Sequence, residues 1–230
     1  MTRPHVLASV AVSVDGYIDD TSPERLLLSN TADFDRVDAV RADSDAILIG
    51  AATLRSDNPR LIVKSPQRTA ERLAAGKPEQ PLKVTVTATG NLDPAAKFWH
   101  HGTELHRPLV YTTAAAAEKL TDQLAGLAQV VSLGPTVDFA ALLDDLGGRG
   151  IDRLMVEGGG HIHTALLSAG LVDELHLALG PNLVGDPNAP RFLHPASFPG
   201  GSTRRMQLID IAQIGDVALL RYRPSKENDR

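Results

Sequence analysis

The chain contains no cysteine, a single tryptophan and only 4% aromatic residues. Without thiols there are no disulfides, iron–sulfur clusters, thiol nucleophiles or thiolate zinc sites, and the composition suits a reducing compartment. Positive charge is also short. The 23 lysines and arginines face 28 carboxylates, a formal net charge of −5, so nothing favours nucleic acid or an anionic membrane as partner. No run approaches the ~20 apolar residues of a membrane span. Residues 1–5 lack the basic flank and apolar stretch of a secretory signal. The expectation is a cytoplasmic protein. At 230 residues and 43% hydrophobic, it is long enough for one α/β domain with a sizeable core.

Hydrophobic periodicity sets out alternating elements. Val6 to Val14 reads as a strand buried on both faces, closed by Asp15-Gly16. A helix starts near Asn30 or Thr31, either of which can cap it, with Asp33 and Asp35 in its first turns. Ala46 to Gly50 is a second buried strand running straight into a helix that ends at Asp57-Asn58-Pro59. Lys64 to Gln80 reads as a polar surface excursion with one amphipathic turn. Further strands are expected at Leu82 to Thr87, Leu109 to Thr112, Gln129 to Leu133, Leu154 to Val156 and Val172 to Leu179, with helices at Ala114 to Leu127 and Val137 to Leu146. Leu208 to Ile214 and Val217 to Tyr222 form a hairpin on Gly215-Asp216. The fold class is therefore α/β: a mostly parallel central sheet, helices on both faces, and a C-terminal antiparallel hairpin. Residues 1–224 are expected to be a single domain and 225–230 a disordered polar tail.

Chemistry concentrates at Glu157-Gly158-Gly159-Gly160-His161-Ile162-His163-Thr164-Ala165, read as strand end, carboxylate, glycine turn and helix start. Glycines let the backbone turn sharply and approach a ligand, and first-turn N–H groups attract a phosphate. Gly50 likewise precedes a helix, with Thr53 in its first turn and Asp57 one turn later on the same face. If both strands belong to one sheet, two helix ends converge on a crevice suited to a dinucleotide. His100, His101 and His106 sit in a polar loop without ligand spacing, so no metal site is expected. Trp99 reads as a loop anchor.

Several blocks resemble the riboflavin-pathway pyrimidine reductases, whose fold is similar to dihydrofolate reductase. They are residues 13–16, Arg41 to Gly50, Ala52 to Pro59, Val156 to Gly159, Ala169 to Leu175 and Gly180 to Gly185. The resemblance implies NADPH-dependent reduction of a phosphorylated ribosylamino-pyrimidine to its ribitylamino form, by hydride transfer to the sugar C1′. By position it implies cofactor contacts at Gly50, Thr53, Asp57 and Gly158 through Ala165. Substrate contacts fall at Arg41, Leu61, Lys64 and Glu157, with Glu157 and Asp57 as catalytic candidates. It also implies a homodimer, for which the apolar strand Leu175 to Leu179 offers a face.

Three departures stand out. Lys64 replaces a usual arginine, Leu27 stands where some members have tryptophan, and Asn30 where serine is common. The cysteines and His-x-Glu of a deaminase zinc site are absent, so a stand-alone reductase is expected. Two alternatives stay open: a related enzyme reducing another heterocycle or imine, and a nucleotide-binding module without turnover.

Overall fold

Valine- and isoleucine-rich segments form the strands, and the segments between them form the helices. The computed structural model describes residues 2–224, so the expected disordered tail 225–230 lies outside the described residues. In chain order the elements are β1 (His5–Ser13), α1 (Thr31–Asp43), β2 (Ala46–Gly50), α2 (Ala51–Asp57), α3 (Pro66–Ala74), β3 (Leu82–Thr87), β4 (Leu109–Thr112), α4 (Ala114–Gln123) and β5 (Gln129–Ser132). They continue as α5 (Phe139–Gly148), β6 (Arg153–Gly158), α6 (Gly160–Ser168), β7 (Glu174–Gly180), β8 (Gln207–Ile214) and β9 (Val217–Arg223). Most strands pair in parallel and the last two close as an antiparallel hairpin, the α/β class read from the sequence.

Chain contacts group these elements into two compact units. One comprises Asp38–Met155 with the N-terminal residues through His5; the other comprises Val6–Val37 with the chain from Val156 onward. In the first unit β5, β4, β3 and β2 lie side by side, all parallel, with Leu48 opposite Val84 and Val84 opposite Leu109. Every residue of β2 is buried, which is why this strand shows no apolar–polar alternation. In the second unit β1 pairs in parallel with β7, and β7 pairs on its other edge with β9, which carries β8. Ala178, Val217 and Leu219 form a small core there.

Local chemistry explains where the boundaries differ from expectation. Asn30 does cap α1: its side-chain oxygen accepts from the Asp33 N–H at 3.0 Å, while its amide donates to the Ile214 carbonyl at 2.7 Å in the hairpin turn. Asp33 is buried against Arg36 at 2.6 Å, so it is more than a carboxylate favoured by the helix dipole. Helix α4 stops at Gln123, four residues early, ahead of Gly126 at φ +80°. Helix α5 starts two residues late because Asp138 caps it through the Ala140 and Ala141 N–H groups. The excursion 64–80 holds a nine-residue helix: Ser65 caps α3, Pro66 occupies its first turn, and the buried Arg72 donates to the carbonyls of Pro78, Ala42 and Ser44. Ser-Pro is a start signal that the polar composition masks.

Candidate active site

In the first unit, β2 delivers Gly50 directly to α2, where it stands as an uncapped extended N-cap. Thr53 and Asp57 lie one turn apart, both half-buried, and the Ser56 hydroxyl donates to the Asp57 carboxylate at 2.6 Å. Helix α2 has only seven residues, so its dipole is a weak anchor for an anion. Asn58 ends it in the left-handed region at φ 40°, not the extended form expected before proline. Leu61 is also left-handed, at φ 50°, and is 4% exposed. Such conformations cost on the order of 1–3 kcal/mol each in non-glycine residues and persist where the surroundings hold them.

The surroundings do hold this segment. Arg41, in the last turn of α1, donates through Nη1 to the Ile62 carbonyl at 3.1 Å. Gln80 brackets Val63, accepting from its N–H at 2.7 Å and donating to its carbonyl at 3.2 Å. The Lys97 N–H donates to the Asn58 side chain at 2.8 Å. Lys64 is exposed, and its backbone N–H donates to buried Asp38, as does that of Ser65. Of the residues given to the substrate by resemblance, Arg41 on α1 is therefore brought against the strained loop that carries Leu61. Arg41→Ala removes both a guanidinium and a tether of that loop, so substrate KM should rise roughly ten- to hundredfold. Steady-state titration of the pyrimidine checks it; an unchanged KM would remove Arg41 from the substrate side.

Strand β6 is longer than expected, and its last residues, in the second unit, include Glu157, half-buried, and Gly158 at φ +117°. The Gly158–Gly159 peptide is cis. Helix α6 begins at Gly160 with Gly159 as its N-cap; no side chain caps it and no carboxylate sits in its first turn. A helix N-terminus of this kind suits a pyrophosphate; of its first N–H groups, that of Ile162 already donates to the Gly159 carbonyl at 2.9 Å. The segment after β7 lies against this turn. A Cβ on Gly160 would stand 2.5 Å from the Arg191 carbonyl oxygen and 3.1 Å from His194 Nε2. His194 donates its N–H to Thr164 Oγ1 at 2.9 Å, and its ring stacks on exposed His161 at 3.9 Å between centroids. Ile162 and Ala165 are partly buried on the same helix.

His163 does not face the solvent side of the turn. It is fully buried beneath Gly158, edge-on to Phe192 at 5.4 Å, and neither ring nitrogen has a partner among the described residues. Burial pushes its pKa down to about 4. The folded state thus binds this proton less readily than the unfolded chain, and stability falls as pH drops below the ordinary histidine range toward 4. Between neutral pH and about pH 5 the loss from this group is about 2 kcal/mol. Urea denaturation at both pH values should show it, and His163→Leu should remove most of it.

Sequence reading missed several contributors. Asp15 accepts from the Ser13 hydroxyl at 2.6 Å and from the N–H groups of Val184 and Gly185, which holds its carboxyl below the usual range. Two of the segments that carry the family resemblance are thereby joined. Arg191 lies over the Tyr17 ring at 4.3 Å and donates to its hydroxyl at 2.7 Å. Leu27 is exposed, and Trp99 anchors its loop by donating to the Asp93 carbonyl at 2.7 Å. A cavity of about 390 Å³ beside Trp99, His100 and Glu104 includes none of the predicted site residues.

Residues 4–220 match the family model described as the RibD C-terminal domain. The chain belongs to the RibD C-terminal domain family. Among RibD-type relatives, it is 35% identical over 215 residues to the 2,5-diamino-6-ribosylamino-4(3H)-pyrimidinone 5′-phosphate reductase of Archaeoglobus fulgidus, covering 93% of this chain and 95% of that protein. The protein of the same name from Methanothermobacter thermautotrophicus is 32% identical over 188 residues, covering 81% and 82%. The fold is shared with a pyrimidine reductase-like protein from Corynebacterium diphtheriae, at TM-score 0.80 and 23% identity over 97% of this chain and 92% of that one. No helix among the described residues of this RibD-family chain is long and apolar enough to cross a membrane.

Proposed function

We propose that this chain is an NADPH-dependent reductase of riboflavin biosynthesis, acting on 2,5-diamino-6-ribosylamino-4(3H)-pyrimidinone 5′-phosphate in preference to the corresponding aminouracil. The observation that carries the reading is identity of 35% along 95% of a relative named for that reaction. The nicotinamide supplies a hydride, which reduces C1′ of the ring-opened sugar to the ribityl chain. The protein's own work is to bind, orient and exclude water. Within the second unit, Gly159 through Ala165 at the start of α6 seat the pyrophosphate, and Gly50, Thr53 and Asp57 are the cofactor-side residues of the first unit. Arg41 and Lys64 take the substrate phosphate, Leu61 packs beside the substrate, and Glu157 handles a proton as the sugar ring opens.

The test is oxidation of NADPH, followed by loss of nicotinamide absorbance, with the diaminopyrimidinone and the aminouracil offered in parallel. Turnover of the first in excess of the second supports the proposal. Cofactor binding without turnover of either substrate refutes it.

We further propose a homodimer in the cytoplasm. Strand β7 is hydrogen-bonded on both edges, so it has no open edge for a partner strand, and on the face first considered Leu175 is buried while Leu177 and Leu179 are partly exposed. Strand β8 instead exposes Leu208, Ile209 and Ile211 at an edge, a surface that water alone covers poorly. Sedimentation of the protein and of Ile211→Lys distinguishes a dimer through β8 from a monomer.

A further inference from the structure

Lys83 is the second residue of β3 and is 1% exposed, an unusual place for an ammonium. It donates to the carbonyls of Arg60 at 2.5 Å, Phe98 at 3.0 Å and His101. An ammonium has three N–H donors, so all are matched, as burial of the charge demands. The Phe98 ring centroid lies 5.4 Å from Nζ. Two acceptors belong to the turn 98–101. The third is the carbonyl of the peptide bond joining Arg60 to Leu61.

That peptide adjoins the strained torsion. Rotation of its plane changes φ at Leu61, the angle held at 50°. Arg41, Gln80 and Lys97 tie the loop at Ile62, Val63 and Asn58, whereas Lys83 ties it at the Arg60–Leu61 peptide itself. We propose that Lys83 is a positioning residue for substrate: by fixing this peptide it keeps Leu61 left-handed and so sets affinity for the pyrimidine without touching it. The inference rests on the reading of Leu61 as a substrate-side residue.

The charge state offers a readout that simple core packing would not give. Burial pushes the Lys83 pKa down to about 8; the Glu104 carboxylate opposes the shift and the Arg41 guanidinium adds to it. A neutral amine keeps two N–H donors, so one of the three carbonyls loses its bond as pH rises through that value. The cysteine-free chain also permits an unusual substitution. Lys83→Cys, alkylated with 2-bromoethylamine in denaturant and refolded, regains an amine at this position alone, slightly less basic than lysine.

The experiment measures KM for the pyrimidine and for NADPH in wild type, Lys83→Met and the aminoethylated Lys83→Cys protein, across about pH 7 to 9. In Lys83→Met the pyrimidine KM should rise ~tenfold or more while the NADPH KM changes less than about twofold. In wild type the pyrimidine KM should climb as pH passes about 8. The aminoethylated protein should recover the low KM at neutral pH and show its climb at lower pH. An equal rise in both KM values overturns the inference, as does a wild-type pyrimidine KM that stays flat with pH. Where Lys83→Met fails to fold, the two pH profiles decide. Absence of wild-type turnover fails the parent reading and this one together; turnover with unsplit KM values fails this one alone.

Discussion

Gly160→Ala should lose NADPH affinity by roughly ten- to hundredfold while the protein still folds, at a cost of about 1–3 kcal/mol of stability. The added methyl would stand 2.5 Å from the Arg191 carbonyl oxygen and 3.3 Å from that of Phe192. Neither oxygen can swing away as a side chain would. Phe192 donates to the Gly16 carbonyl, Ile18 donates to that of Pro190, and Tyr17 bridges Arg191, so the whole segment resists displacement. The first turn of α6 must give instead, and that turn is the proposed pyrophosphate seat. Cofactor fluorescence titration and urea denaturation on one preparation separate the two effects. Affinity within about twofold of wild type, with stability reduced, would move the pyrophosphate elsewhere.

Glu157→Gln tests the other face of the same stretch. The amide keeps the shape of the side chain and one acceptor oxygen but can neither take nor give a proton at neutral pH. If Glu157 manages a proton during ring opening, kcat should fall about a hundredfold or more, with NADPH Kd unchanged within about twofold. Single-turnover kinetics with saturating cofactor reads the chemical step directly. Equal loss of turnover and cofactor affinity would make Glu157 a support for the glycine turn and not a participant on the substrate side.

Much of the fold was legible because it is local. The Val- and Ile-rich runs, the Asn30 cap and the Gly215-Asp216 turn each carry their structure within a few residues. Strands β3 and β4 match their expected limits. Of the candidate site, the glycine turn and its helix start could be read for the same reason. What escaped depends on chain-distant partners. Nothing near Lys83 in sequence announces that the carbonyls of Arg60 and His101 will surround its ammonium. His163 shares a motif with His161, yet helical geometry buries one and exposes the other. Gly160 is needed for the approach of a segment some thirty residues downstream, which no spacing rule within the motif reveals. The resemblance gives Arg41 as a substrate contact, whereas part of its guanidinium fork is committed to the Ile62 carbonyl.

The lone tryptophan has a practical consequence. Trp99 is 2% exposed and belongs entirely to the first compact unit, while Glu157 and α6 belong to the second. Its indole emission is therefore a built-in optical label for one unit and blind to local melting of the other. Unfolding followed by emission and unfolding followed by far-ultraviolet dichroism will superimpose only if the two units melt as one.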